Sequence, residues 1–231
     1  MIVIDALVLA QASLRDELVS WTWINQRWDE VWEATIEHLQ LTFVAVAIGL
    51  VISIVLSAVS LAWRPAYAPI TWVTGLLYTI PSIALFGFLV PITGLGFVTA
   101  QIALVSYTLL ILVRNVVAGV DGVSPAIKEA ADGMGYTTAR RFVSVDLRLA
   151  TPTIVAGIRI ATVTVVGLVT ITSLVGAGGY GVFILDGLRR NFSTPIVLGT
   201  VLSLLLALVL DLALVLVERA LTPWARRGVA A

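Results

Sequence analysis

Residues 124–159 read SPAIKEAADGMGYTTARRFVSVDLRLATPTIVAGIR, a polar stretch that runs into an apolar block and follows another. It reads as two short helices joined at a glycine elbow. Ser124 suits the N-cap of the first helix and Pro125 its first turn, where a missing N–H costs nothing. Gly133 and Gly135 supply the left-handed conformations that end it. Thr137 or Thr138 can cap a second helix running to about Leu147, and Thr151-Pro152 repeats the signal and predicts the start of the next apolar helix. On the first helix, Ala130 and Ala131 beside Glu129 make a flat face with one charged peg, a surface suited to docking. Glu-Ala-Ala is also common helix vocabulary, and an ordinary amphipathic connector between membrane helices would contain it too.

The flanking blocks decide the solvent. Of 231 residues, 59% are hydrophobic and 12% charged, and the mean hydropathy is +1.04. Such a composition belongs in a bilayer. The absence of cysteine excludes a disulfide framework and thiolate metal sites. The first residues are apolar but few, and Asp5 stands where a signal peptide carries positive charge, so they do not read as a cleaved signal.

Apolar runs near the ~20 residues that a bilayer core demands predict an all-α, polytopic membrane protein with five spans. These are Leu41 to Trp63, Ile70 to Val90 with Pro81 inside, Phe97 to Val113, Pro152 to Val175, and Ile196 to Val217. Pro91 with Gly94 and Gly96 predicts a tight turn, and residues 176–194 a glycine-rich connection. Residues 13–39 carry Trp21, Trp28 and Trp32 near one helical face, which predicts an amphipathic segment at the membrane interface. Seven acidic against two basic residues in 1–38 exclude a nucleic-acid surface there. The expected organisation is thus an interfacial segment over 1–39, a transmembrane domain over 40–220 with a polar loop at 115–150, and a tail at 221–231. Arg15, Arg27, Arg189 and Arg190 fall on one side, while the other ten of the 14 Lys and Arg lie near Arg64, in 114–159 or from Arg219 on. The positive-inside rule therefore predicts a cytoplasmic polar loop and C-terminus, with the N-terminus outside.

Several chemistries are missing. No Gly-Lys dipeptide occurs, so there is no Walker A phosphate loop. His38 is the only histidine; it lacks a second imidazole or carboxylate cluster for a metal or a catalytic base, and reads as an interfacial residue. Gly176, Gly178, Gly179 and Gly181 read either as a flexible re-entrant turn or as a gate at the outer face. Tyr78 and Ser82 beside Pro81 either line a pathway at a bend or accompany a kink that only helps packing. Asp186, Arg189 and Arg190 either meet a partner's charges or are solvated. Arg159 and Asp211 lie at matching depths, roughly 10 Å from the ends of their spans at 1.5 Å per residue, which predicts an intramembrane ion pair. The rival is that Arg159 snorkels to the headgroups.

At Glu129, Ala130, Ala131 and Gly135 the sequence resembles the permease subunits of binding-protein-dependent, type I ABC importers. Their cytoplasmic loop carries Glu-Ala-Ala, three residues, Gly, nine residues, then Ile-x-Leu-Pro. Val145 and Leu147 fill the apolar positions here, and Arg148 stands where the family has proline. The segments LLYTIPSIALFGF, LVRNVVAGV, ATPTIVAGIRIA, SLVGAGGYG and LLLALVLDLALVLVER look like the osmoprotectant branch, which moves glycine betaine, choline, carnitine, proline and related solutes. This resemblance covers about 40–220. It implies a transport subunit, not an enzyme, with no cofactor of its own. ATP and Mg would belong to a cytoplasmic ABC ATPase dimer that grips the 125–135 helix. It also implies a second permease subunit, identical or homologous, a separate extracytoplasmic solute-binding protein, and a bacterial cytoplasmic (inner) membrane. The rivals are an ion-coupled or passive carrier working without an ATPase, a scaffold subunit that anchors an ATPase without a pathway, and an ABC permease for another small solute.

Overall fold

The computed structural model describes residues 19–223, and expectations placed on 1–18 and 224–231 lie outside it. All regular elements among the described residues are helical. Helix α1 is Trp21–Asn25 and α2 is Trp28–Ala62, followed by a 3-10 turn at Arg64–Ala66. Next come α3 (Tyr67–Thr79), α4 (Ser82–Thr93), α5 (Phe97–Asp121), α6 (Pro125–Gly133) and α7 (Thr138–Arg141). A π turn at Phe142–Asp146 leads into α8 (Leu147–Thr172), which ends in a 3-10 turn at Ser173–Val175. Helices α9 (Gly181–Arg190) and α10 (Ser193–Leu221) complete the chain. Among the described residues, four helical stretches are long and apolar enough to cross a bilayer: α2, α5, Thr138–Val175 and α10. The bent pair α3/α4 supplies a fifth.

The core lies where α2, α4, α5 and α8 meet. Leu41 and Ala45 of α2, Phe86 of α4, Leu104 of α5 and Val165 and Val169 of α8 are buried together. With lipid outside, apolar area cannot by itself drive this association, so close backbone approach through small residues matters. A side-chain carbon on Gly157 of α8 would strike Asn115 of α5, and one on Gly119 of α5 would crowd Ala150 of α8. Helix α10 instead turns Leu204, Leu208, Leu212 and Leu216 outward, as a lipid-facing helix does.

Several expected boundaries move. The first membrane helix begins at Trp28 and not Leu41, because nothing in 28–41 breaks a helix and Val31, Ala34, His38 and Leu41 form one buried stripe. Residues 28–39 are thus continuous with the helix that runs to Ala62. Pro81 breaks its helix instead of bending it. The residue before it, Ile80, is extended at ψ 127°, and α3 and α4 meet at 96°. The Ile80 carbonyl accepts a hydrogen bond from the Tyr107 hydroxyl of α5. Pro91 lies inside α4, and the turn falls at Gly94. The third span runs on past Arg114 to Asp121. Thr151-Pro152 starts no helix: the chain is already helical through the π turn, Pro152 lies within α8, and the Thr151 hydroxyl donates to the Leu147 carbonyl at 3.1 Å. The glycine-rich connection at 176–194 contains α9.

Candidate docking site

Helix α6 starts as its sequence dictates, with Pro125 at the first position. Ser124 occupies the N-cap, but its hydroxyl makes no capping bond; its carbonyl accepts from the Ile127 and Lys128 amides. The far end is a complete Schellman turn. The Tyr136 amide reaches the Ala131 carbonyl at 3.1 Å and the Gly135 amide reaches Asp132 at 2.9 Å. Gly135 has φ +81°, the left-handed region, whereas Gly133 remains in the helix. One of the two expected left-handed glycines is thus needed.

Helical geometry also divides the Glu-Ala-Ala triplet. Consecutive residues are about 100° apart around a helix, so three in a row cannot share a face. Glu129 and Ala130 are exposed, while Ala131 is buried against its own chain. The outer stripe is Ile127, Ala130 and Met134, at i, i+3 and i+7, with Ile127 42% and Met134 70% exposed. The expected face of Ala130 with Ala131 is corrected to this one. Ile127 and Met134 were legible as apolar residues at helical spacing, had the period been followed beyond the triplet.

The helix is fastened to its surroundings by charge. Lys128 Nζ donates to the Val120 carbonyl at the end of α5, 2.9 Å away. Asp132 accepts from Arg141 of α7, whose Nε lies 3.6 Å from Asp146 in the π turn. Arg64, just past α2, pairs in a fork with Asp121 at 2.6 and 2.8 Å. Thr137 caps α7 by accepting the Arg140 amide at 3.3 Å. Between α6 and the end of α2 a cavity of about 400 Å³ remains, lined by Leu61, Val120, Lys128, Phe142 and Asp146 among others. The outcome is a short exposed helix held in a fixed pose at the ends of three membrane helices.

Higher on α8, the Arg159 guanidinium reaches α10. Its Nε and Nη2 donate to the two Asp211 oxygens at 2.8 and 3.1 Å, and Nη1 lies 3.4 Å from Glu218. The structure thus brings Arg159 and Asp211 together and adds Glu218.

The family model described as "Binding-protein-dependent transport system inner membrane component" matches residues 22–223. The chain belongs to this family. Among similar proteins, the choline transport system permease protein OpuBB of Bacillus subtilis is 35% identical over 189 residues, 82% of this chain and 87% of that one. The glycine betaine/carnitine/choline transport system permease protein OpuCB of the same organism is 31% identical over 207 residues, 90% and 95% of the two chains. The osmoprotectant import permease protein OsmW of Salmonella typhimurium is 35% identical over 194 residues, 82% and 90%. An inward-facing structure of the MetNI methionine ABC transporter superposes with a TM-score of 0.72 at 23% identity, covering 88% of this chain and all of that one. The fold is that of a type I ABC importer permease.

In this permease the remaining sequence-predicted residues fall in two other places. Tyr78 and Ser82 flank the α3/α4 break with Pro81; Tyr78 is 39% exposed and packs edge-on against Tyr107 at 6.0 Å, Pro81 is exposed, and Ser82 is half-buried. Gly176, Gly178 and Gly179, all at positive φ, form the hairpin after α8. The hairpin is tied to α2: the Gly179 amide donates to Glu37 at 2.8 Å and the Tyr180 amide to His38 Nδ1 at 3.3 Å. His38 Nε2, 3.1 Å from the Val166 carbonyl, is thereby the protonated nitrogen. His38 is fully buried, not interfacial, because α2 extends past it and packs on α8. Glu37 carried no signal in the sequence, and the partners of both Glu37 and His38 lie more than 120 residues away. On α9, Asp186 pairs with Arg190 one turn on at 2.8 Å.

Proposed function

We propose that this permease is the membrane-spanning subunit of an ATP-driven importer for compatible solutes of the glycine betaine, choline, carnitine or proline type. The observation that carries the coupling is the exposed, charge-fastened helix α6, which ends in an obligatory left-handed glycine and connects through Arg141 to a helix running unbroken across the membrane. The solute class rests on the similarity to the choline and osmoprotectant permeases. Two such subunits, identical or homologous, pair to enclose the pathway. A cytoplasmic ABC ATPase dimer, which holds the ATP and Mg, grips one α6 on each permease through Ile127, Glu129, Ala130 and Met134.

The distribution of Lys and Arg supports a cytoplasmic α6 and C-terminus with the N-terminus outside. ATPase closure then drives a rigid-body movement between inward- and outward-open states, and a separate binding protein delivers solute from outside. Tyr78, Pro81 and Ser82 stand beside the pathway at the one sharp break in the membrane helices. The Gly176–Gly179 hairpin, latched to Glu37 and His38, forms part of its outer rim.

The test is reconstitution of the permease with its ATPase and binding protein into liposomes, measuring uptake of labelled glycine betaine, choline, carnitine and proline. Uptake that needs the ATPase and hydrolysable ATP is expected. Equal uptake down a gradient without the ATPase would replace this reading with a carrier, and ATP-driven uptake of none of these solutes would replace the solute class.

A further inference from the structure

Arg159 is one cation facing two carboxylates. Asp211 and Glu218 are seven residues apart on α10, hence two turns apart on one face, roughly 10 Å along the axis at 1.5 Å per residue. The guanidinium is asymmetric between them. It forms a bidentate pair with Asp211, while a third nitrogen, Nη1, is at the outer limit of a hydrogen bond to Glu218 at 3.4 Å. All three side chains are roughly 30% exposed. Asp211 compensates the charge on Arg159, and Glu218 adds a second carboxylate within reach of the same guanidinium. A structural pair does not require this extra acid.

The packing around the triad points to movement. The seam between α8 and α10 holds two hollows, one of about 480 Å³ beside Arg159 and Asp211, and one of about 310 Å³ between Val163 and Val166 of α8 and Ser203 and Ala207 of α10. Against α5, by contrast, α8 packs without slack at Gly157 and Gly119. Sliding therefore costs less packing at the α8–α10 seam than at the α8–α5 seam. The direction is also set. Helix α8 continues from the docking segment, and α10 returns toward it, so Glu218 lies nearer the docking end than Asp211. A pull on α6 transmitted through Asp132–Arg141 moves Arg159 toward Glu218.

We propose that Glu218 is a positioning residue of the transport cycle: the second stop of a two-position contact in which Arg159 passes between Asp211 and Glu218 as α8 shifts along α10. Helix shifts in such transitions are about 1–2 Å, enough to trade a 3.4 Å contact for a close one. The exchange keeps Arg159 paired at both stops, and the carboxylate it leaves carries the cost of each move. The Arg159–Asp211 contact is then the resting stop, and Glu218 sets the height of the step that leaves it.

This inference rests on the ATP-driven reading above. In the reconstituted importer, Glu218→Gln leaves the bidentate Asp211 pair intact and keeps the side-chain volume. ATPase association and thermal stability are expected to remain at the wild-type level while ATP-driven uptake falls about tenfold, within the usual range for coupling between moving elements. Glu218→Asp, which restores the charge, should recover part of the rate. Spin labels at Val163→Cys and Ala207→Cys, on otherwise wild-type charges, should report different distances in the nucleotide-free and ATP-trapped complexes. A tenfold loss with unchanged stability, together with a state-dependent distance, supports the second stop. Unchanged uptake in Glu218→Gln, a loss of stability with an unchanged rate per folded complex, or one label distance in both states overturns it. Failure of the wild-type complex to show ATP-driven uptake would instead overturn the function itself.

Discussion

Gly135 offers the sharpest perturbation of the proposed docking site, because the structure separates its two possible roles. Its φ is +81°, and a side-chain carbon built there would have no neighbour within 4 Å inside the permease. Substitution thus carries no internal clash, only the backbone penalty. That penalty is about 1–2 kcal/mol for an ordinary L residue held left-handed, and least for asparagine, which visits that region most readily. If the turn gives way instead, the Tyr136–Ala131 and Gly135–Asp132 bonds go with it, at roughly 1 kcal/mol each. A loss of 1–2 kcal/mol lowers the population of the native turn about 5–30-fold relative to its alternatives. Coupled uptake and recovery of the ATPase with affinity-purified permease should therefore fall in the order Gly135→Asn, Gly135→Ala, Gly135→Val, with the valine variant worst. Membrane insertion should stay normal in all three. If asparagine proves as damaging as valine, space for the partner and not φ is what position 135 supplies. If valine is silent in both assays, α6 does not dock through this turn.

Three more outcomes follow from the same coordinates. Asp211→Asn should lower thermal stability in detergent less than Asp211→Asn combined with Glu218→Gln, because Glu218, 3.4 Å from Arg159, keeps the cation partnered in the single variant and only the double change strands it. Gly181→Ala would drive a carbon into the Thr170 carbonyl and should cost roughly 1–3 kcal/mol, whereas Gly167→Ala, with nothing within 4 Å, should leave stability unchanged. Cysteines introduced at Tyr78 and Ser82 should react with aqueous thiol reagents in at least one nucleotide state; protection in every state would remove the α3/α4 break from the pathway.

What the sequence made legible was whatever depends on neighbours along the chain. Apolar runs of bilayer length gave the membrane helices, Pro125 and Thr137 marked helix starts, and the Gly135 stop followed from its spacing. Boundaries failed where a local signal lost to context. Thr151-Pro152 has the form of a helix start, but the preceding π turn had already set the chain helical. Pro81 was read as a bend because a lone proline usually bends a membrane helix; here the Tyr107 hydroxyl takes the Ile80 carbonyl, a stabilising contact visible only in three dimensions. Equal depth along two spans was enough to pair Arg159 with Asp211. It did not reveal Glu218, which lies two turns away and comes within reach only because the guanidinium is long. The Glu37–His38 latch was beyond any local signal, since both ends of each bond are needed to see it.

The contacts also explain why a push at α6 should not dissipate before it reaches the membrane. A load on α6 passes to α5 through Lys128 and the Val120 carbonyl, and to α7 through Asp132 and Arg141. From Arg141 the backbone is helical without interruption to Thr172, and hydrogen bonds along a helix resist stretch, so displacement at one end appears at the other. The π turn is the soft point in that line, one extra residue per turn in a short run. Asp146 within it is almost wholly buried and sits 3.6 Å from Arg141, an ion pair too long for a hydrogen bond. Because α5 and α8 receive the load together and interlock at Gly119 and Gly157, they should move as one body. The relative motion is then left to the face of α8 turned toward α10, where the packing is open and one arginine has two carboxylates to choose between.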